Sequence, residues 1–339
     1  MKKKFNIIFY VLIGALSACN EYDFNQEQYR NEVGLLSNSS LIYNRQVANI
    51  GQEKDTIYLV AVISGSQIST STHHVALIES DSLLKAYNKS NFDLEKEKYA
   101  KLLPNECYDF PNTELDIQAG TSKVMFPIYL KNLDRISPDS IYFLDYKIDP
   151  DKTPNYNPDK SHVLLSIYKE NYFATTKTPT YYNYTSSTIT IPRDDGSYEV
   201  RRPTNANQVF PIGANSVRMM AGDEDYGDYK TARSRIISKS IILEIGEQQP
   251  ENPQARGLTI RAHDRVNDVE SNPIDVEQLN PSEDYDNTFL LNVIRTPDGR
   301  ATYYKEFRLH YKYRLQSSSP YREVKAKLRY EFNPRADKL

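Results

Sequence analysis

ATYYKEFRLHYKYRLQSSSPYREVKAKLRYEF, residues 301–332 of the 339-residue chain, decides the fold. Every second residue from its start runs Ala301, Tyr303, Lys305, Phe307, Leu309, Tyr311, Tyr313, Leu315, and all but Lys305 can bury. Between them stand Thr302, Tyr304, Glu306, Arg308, His310, Lys312, Arg314 and Gln316, nearly all polar. A period of two puts one face of a strand in the dry and the other in water. After the turn Ser317-Ser318-Ser319-Pro320 the alternation resumes, with Val324, Ala326, Leu328, Tyr330 and Phe332 set against Glu323, Lys325, Lys327, Arg329 and Glu331. Two long strands joined by so short a turn predict an antiparallel hairpin that closes a sheet. Its apolar face has no cover of its own, so the upstream chain must supply one.

The upstream chain has the means. Hydrophobic residues make up 39% of the sequence, enough for real cores, and the length fits about two domains. A net charge of -3 gives no whole-protein attraction to nucleic acid or to an anionic membrane. The 27 tyrosines, without a single tryptophan, fit half-buried pleated surfaces, since most fall within alternating strands. The same residue also builds aromatic binding surfaces.

The amino end reads as an address. Lys2-Lys3-Lys4 is a positive n-region, residues 5–16 are an apolar stretch too short to span a bilayer, and Leu16-Ser17-Ala18-Cys19 has the form of a lipobox. Cys19 is the expected lipidation site, which implies an envelope protein anchored at the outer membrane and exposed at the surface. Cys107 is then the one cysteine left in the folded part and reads as a buried thiol without a disulfide partner. Residues 1–19 are the signal segment, 20–34 a polar tether, 35–170 a first domain, 171–181 a linker and 182–334 a second domain.

The first domain offers strands at 56–63, 74–78, 115–117, 124–130, 141–148 and 163–168. One helical region interrupts them, with Ser80 and Asp81 capping a run through Leu83, Leu84 and Tyr87, and Asn91 and Asp93 capping a second run that Pro104 stops. Asp149 to Lys160, with three prolines, is a surface loop. The expectation is an all-β protein: an immunoglobulin-like β-sandwich with a short helical insert, then an antiparallel, lipocalin-like β-barrel or a second sandwich. In the second domain strands are expected at 187–191, 236–245, 258–262 and 289–295, with hairpin turns at Asp194-Asp195-Gly196 and Thr296-Pro297-Asp298-Gly299.

Residues 102–148 read LLPNECYDFPNTELDIQAGTSKVMFPIYLKNLDRISPDSIYFLDYKI. The Leu-Pro, the Tyr, the Ile-x-Ala-Gly of Ile117, Ala119 and Gly120, and the paired strands after it resemble the N-terminal β-sandwich domain of unknown function found in many surface lipoproteins of gut Bacteroidetes. There it often precedes glycan-binding or glycan-cleaving modules. FRLHYKYRL (307–315) and Leu328-Arg329-Tyr330 are similar to the uncharacterised, barrel-like C-terminal domain that accompanies it. The resemblance implies fold and surface location, and a glycan-related role, but no ligand-binding residues.

Candidate chemistry is sparse. His73-His74 are strand neighbours and point to opposite faces, which does not make a shared metal site. His310 falls on the polar face of the terminal strand and reads as solvated. His263-Asp264 with Asp268 has the makings of an acid–base pair but no accompanying nucleophile. Asp223, Asp225 and Asp228 lie in a Gly-Asp-Glu-Asp-Tyr-Gly-Asp turn whose oxygens suit calcium, though Asp228 and Ser234 stand where an EF-hand requires glycine and glutamate. Paired carboxylates for glycoside hydrolysis are not identifiable without a cleft.

The best binding candidates are aromatic. Tyr181, Tyr182 and Tyr184 crowd one loop beside Asn183, and Tyr226 and Tyr229 flank the acidic turn. Sugar C–H faces lie on aromatic rings, and flat, rigid tyrosines serve protein partners equally well. The expected function is therefore non-catalytic binding of glycan for polysaccharide uptake. A protein-binding or adhesion module is the alternative, and a glycoside hydrolase a weaker one.

Overall fold

In a computed structural model, residues 31–44, 47–65, 67–225, 236, 238–263, 274–295 and 297–334 are described, and they build two β domains. The signal segment, Cys19 and most of the tether lie outside the described residues.

The N-terminal domain is a sandwich. One sheet holds Val33–Leu35, Asp55–Ile63, Lys123–Leu130 and Tyr108–Asp109 in that order. The other runs Ile42–Tyr43, His162–Glu170, Tyr142–Ile148, His73–Glu79, Glu114–Ile117, with two short strands pairing beside it. Ile57, Leu59, Phe126 and Ile128 from the first sheet meet Val75, Leu144, Tyr146 and Leu165 from the second in a single core. Cys107 is buried in it, and burial pushes its thiol pKa up, which keeps it a neutral packing group.

The helix Ser82–Phe92 lies on the outer face of the second sheet, where Leu84 packs with Phe143 and Leu164. Its amino end is capped only in part as the sequence predicts: Ser80 Oγ accepts the Ser82 amide at 3.2 Å. Asp81 makes no side-chain cap; instead the Leu84 amide donates to the buried Asp145 carboxylate at 3.0 Å, and burial raises the pKa of Asp145. The second helical run is not formed either. Asp93 takes a left-handed φ of 43°, and the chain continues as a three-residue 3₁₀ turn, Lys96–Lys98, leaving Leu94 exposed.

The C-terminal domain is a closed barrel. Its strands are β1 (Thr180–Tyr184), β2 (Ala206–Gly213), β3 (Ser216–Met220), β4 (Ser240–Gln249), β5 (Asn252–Ala262), β6 (Thr288–Arg295), β7 (Ala301–Arg314) and β8 (Arg322–Phe332). Each pairs antiparallel with the next, and β8 returns to pair with β1 through Asn183↔Arg329 and Tyr184↔Leu328. Closure removes the open edges a hairpin alone would expose. The terminal hairpin expected from the sequence is β7–β8, paired from Tyr303↔Phe332 to Tyr313↔Arg322. Its inward residues Phe307, Leu309, Tyr311, Tyr313, Val324, Ala326 and Leu328 are all essentially inaccessible to water. Beside β8 the strand Thr188–Pro192 turns at Gly196 (φ +78°) into Tyr198–Arg201, a ribbon standing off the barrel.

Two departures from the simple alternation matter. Lys305, the one charged residue on the apolar face, is buried; its Nζ donates to the Tyr172 carbonyl at 2.6 Å and sits 4.3 Å from the Tyr172 ring centre and 5.2 Å from that of Phe332. His310 is not solvated as expected: Nδ1 lies 2.7 Å from the Asn280 carbonyl and Nε2 2.9 Å from Glu323.

Buried polar side chains order the end of the sandwich and fasten it to the barrel. Lys169 is buried and its Nζ donates to the carbonyls of Leu133 (3.1 Å) and Ile136 (2.7 Å); burial pushes its pKa down to about 7. The Asn171 side chain donates to the carbonyls of Gly213 and Ser216 at 2.8 and 3.1 Å. Arg218, fully buried on β3, makes a two-pronged ion pair with Asp139 of the sandwich and lies 4.5 Å from the Phe210 ring centre. Phe173 then enters the barrel base, edge-on to Phe289 at 4.9 Å, and its carbonyl accepts the Tyr182 hydroxyl at 3.0 Å.

Candidate functional site at the barrel mouth

The end of the barrel opposite Phe173 is closed by the turn at 221–225. Gly222 sits there with φ +52°, and a Cβ on it would stand 2.8 Å from the Tyr313 hydroxyl oxygen. Glycine is therefore required twice over, for its backbone angle and for its lack of a side chain. The turn is held by the inner wall of the barrel. The Gly222 amide donates to the Tyr311 hydroxyl at 2.7 Å, and the Gly222 carbonyl accepts the Tyr184 hydroxyl. Asn207 donates to the Tyr184 oxygen at 3.0 Å and to the Met220 carbonyl at 2.8 Å. Burial pushes the pKa values of Tyr184, Tyr311 and Tyr313 up, so all three remain neutral hydroxyls across the physiological range.

The acidic side chains of the turn face cations. Glu224 accepts from Arg322 at 2.7 Å and pairs with Lys239. Asp223 lies 3.7 Å from Arg201, whose Nε also donates to Glu199 at 2.6 Å. Among the described residues no three histidine, cysteine or carboxylate side chains are grouped to hold a metal ion. The third ligand of the expected calcium turn, Asp228, lies outside the described residues.

Between this turn and the segment leading into β2 is a cleft of about 650 Å³. Asn207 and Met220 form its buried floor; Arg201, Arg202, Asn205 and Gln208 line it from one side and Asp223 and Asp225 from the other. Tyr181 stands at the rim, 48% exposed. An exposed flat ring next to amides and charges can stack on an apolar face of a ligand while bonding to its polar edge.

Of the residues singled out in the sequence, Tyr181, Tyr184, Asp223 and Asp225 meet at this cleft. Tyr182 does not, and this corrects its expected place on a ligand-facing loop. The stretch is strand β1, so neighbours alternate faces, and Tyr182 points inward with no exposed surface, its ring 5.0 Å from Phe307 and 5.5 Å from Tyr330. Tyr226 and Tyr229 lie outside the described residues, as do Asp264 and Asp268 of the possible acid–base pair. His73 and His74 do point apart: His73 lies 2.8 Å from Ser69 Oγ and His74 2.7 Å from Asp116.

Sequence reading missed Arg201, Arg202, Asn205 and Gln208. Gln208 is on β2 and Asn205 just before it, and β2 buries Asn207, Val209 and Pro211 on its inward face, so a polar residue and a proline hide the alternation; Arg201 and Arg202 lie at the end of the outer strand Tyr198–Arg201 and just past it. No helix among the described residues is long and apolar enough to cross a membrane.

Comparison with known proteins bears on the fold and the family. No curated protein matches this sequence. Solved structures with the same fold include a protein of unknown function from Bacteroides ovatus, 16% identical with a TM-score of 0.61, matched over 88% of this chain and 94% of that one. A multidomain protein of Bacteroides ovatus is 15% identical with a TM-score of 0.57, over 88% and 94% of the two chains. An auxiliary nutrient binding protein of Bacteroides thetaiotaomicron is 16% identical with a TM-score of 0.54, over 87% and 94%. Two family models match the sequence in tandem, one describing an N-terminal domain over residues 29–155 and the other a C-terminal domain over residues 161–329. The sandwich as far as Ile148 falls within the first matched segment, its strand His162–Glu170 and nearly all of the barrel fall within the second, and the chain belongs to the two-domain family that these paired N-terminal and C-terminal models define.

Proposed function

We propose that this protein is a non-catalytic lipoprotein of the outer membrane, anchored through Cys19 and exposed at the surface, that captures glycan in the barrel-mouth cleft as an accessory of polysaccharide uptake. The observation that carries the reading is the cleft itself: an exposed Tyr181 ring on the rim of a space of about 650 Å³ lined by amide and charged side chains. Sugars fit such a surface because their C–H faces lie on rings and their hydroxyls bond to amides and guanidinium groups. A binding rather than a hydrolytic role is supported by the carboxylates of the turn, since Asp223 and Glu224 already face cations. The auxiliary nutrient binding protein of Bacteroides thetaiotaomicron that shares this fold is in keeping with it. Affinity gels and calorimetry across a broad polysaccharide panel test the proposal. Retention on at least one polymer, reduced by Tyr181→Ala, is the expected result; a flat result across the panel removes it.

One observation favours a protein partner as a second reading. The outer strand Tyr198–Arg201 pairs on one side only among the described residues, and it carries Tyr198 and Val200 at 68% and 60% exposure. Pull-downs that recover one stoichiometric partner, and lose it with Val200→Lys, would favour this reading.

A further inference from the structure

We propose that the cleft takes an anionic polysaccharide, bearing uronate carboxylates or sulfate esters, and that Arg202 is the residue that selects it; this rests on the reading of the cleft as a glycan site. Among the described residues, every charged side chain that lines the cleft, Asp225 included, has a partner except Arg202. Arg201 lies between Glu199 and Asp223, and Glu224 between Lys239 and Arg322. Arg202 lines the same cleft, is exposed, and has no hydrogen bond or ion pair among the described residues. The unmatched charge it brings to the cleft is positive, and a ligand that matches it carries a negative one.

Geometry adds to the charge. A guanidinium presents its donors in a flat fork that fits a carboxylate or a sulfate with two parallel hydrogen bonds. Pro203 follows Arg202 directly, which restricts the Arg202 backbone to extended conformations. Part of the ordering cost of binding is thereby met before a ligand arrives. Thr204, Asn205 and Gln208 add neutral donors and acceptors along the same wall, suited to the hydroxyls flanking an acidic group. Tyr181 at the rim offers the stacking face. A neutral polymer can use the ring and the amides but leaves the guanidinium unanswered.

The test uses the full chain in affinity gels and calorimetry at fixed salt. The probes are polygalacturonate, alginate and chondroitin sulfate, each beside its carboxyl-reduced or desulfated counterpart, with starch, mannan and xyloglucan as neutral polymers. The expected result is binding to at least one anionic polymer and at least ten-fold weaker binding to its neutralised form. Carboxyl reduction and desulfation separate the two sources of charge. Arg202→Ala should lose about ten-fold in affinity and Arg202→Lys recover part of it, while Arg295→Ala, outside the cleft, should not change binding. Equal losses in the Arg202 and Arg295 variants would mark general charge attraction and overturn the proposal. Binding confined to neutral polymers, untouched by Arg202→Ala, would overturn it too and leave glycan capture standing. No binding to any polymer would remove both.

Discussion

The two ends of the barrel are sealed by opposite chemistry. At the base Phe173 is driven into the ring cluster of Tyr182, Phe289 and Phe307, and a charged intruder, Lys305, is wrapped by Tyr172 and Phe332. At the mouth the seal is a backbone turn held by tyrosine hydroxyls and one asparagine. An apolar seal gains by excluding water from all of its surface, so it packs shut. A polar seal is bonded at points, and between the points it tolerates water and therefore a ligand. The cleft lies at the polar end for that reason.

This contrast can be tested from both sides. The largest effect belongs to the base: Phe173→Ala should cost about 3–5 kcal/mol in chemical denaturation, as expected for emptying a packed aromatic site. A loss below about 1 kcal/mol would mean that the base is not sealed by packing. At the mouth, Gly222→Ala should cost about 2–4 kcal/mol, from a side chain forced to positive φ and against Tyr313. Near-neutral behaviour there would show that the turn can lift away. Tyr184→Phe leaves the ring and removes a hydroxyl with two partners, for an expected loss of about 1–2 kcal/mol. Tyr181→Ala is the smallest in stability, within about 0.5 kcal/mol, because the ring is half exposed and its hydroxyl has no hydrogen bond among the described residues. Its effect should appear in polysaccharide affinity instead, and a large stability loss would show it to be structural.

How much of this the sequence revealed follows the same division. The apolar alternation of residues 301–332 is a record of burial, and the barrel's closing hairpin is legible in it to within a residue or two. The site is recorded less directly. Tyr181, Tyr182 and Tyr184 are visible as a cluster, but a cluster does not say which faces water. That depends on β1 being a strand in register with β8, so that Tyr182 falls inward and Tyr181 outward. The outer strand Tyr198–Arg201, the segment after it and β2 bring the arginines and amides to the cleft. On β2 the inward Asn207 and Pro211 serve the mouth network and the bend rather than the alternation, so the pattern that marks a strand is weakest where the site is built. In the sandwich the second helical run fails for a related reason: the caps are present in sequence, but only Ala100 and Leu103 of that stretch find a core.

Lys169, on the last strand of the sandwich, gives the fold a dependence on proton concentration. Its two donated hydrogen bonds need only the two hydrogens of a neutral amine, and in the folded protein it loses its proton near pH 7, whereas in the unfolded chain it keeps the proton to about pH 10. The depressed value means that folding penalises the charged form. The penalty is fully present below pH 7 and is relieved as the pH rises toward that of the free side chain, so stability should increase across that window. A melting temperature that climbs from pH 7 to 9.5 in the native protein and loses that climb in Lys169→Met would trace the dependence to this one amine. The same climb in the variant would place it elsewhere. This buried lysine thus makes the molecule's resistance to unfolding a readout of the alkalinity around it.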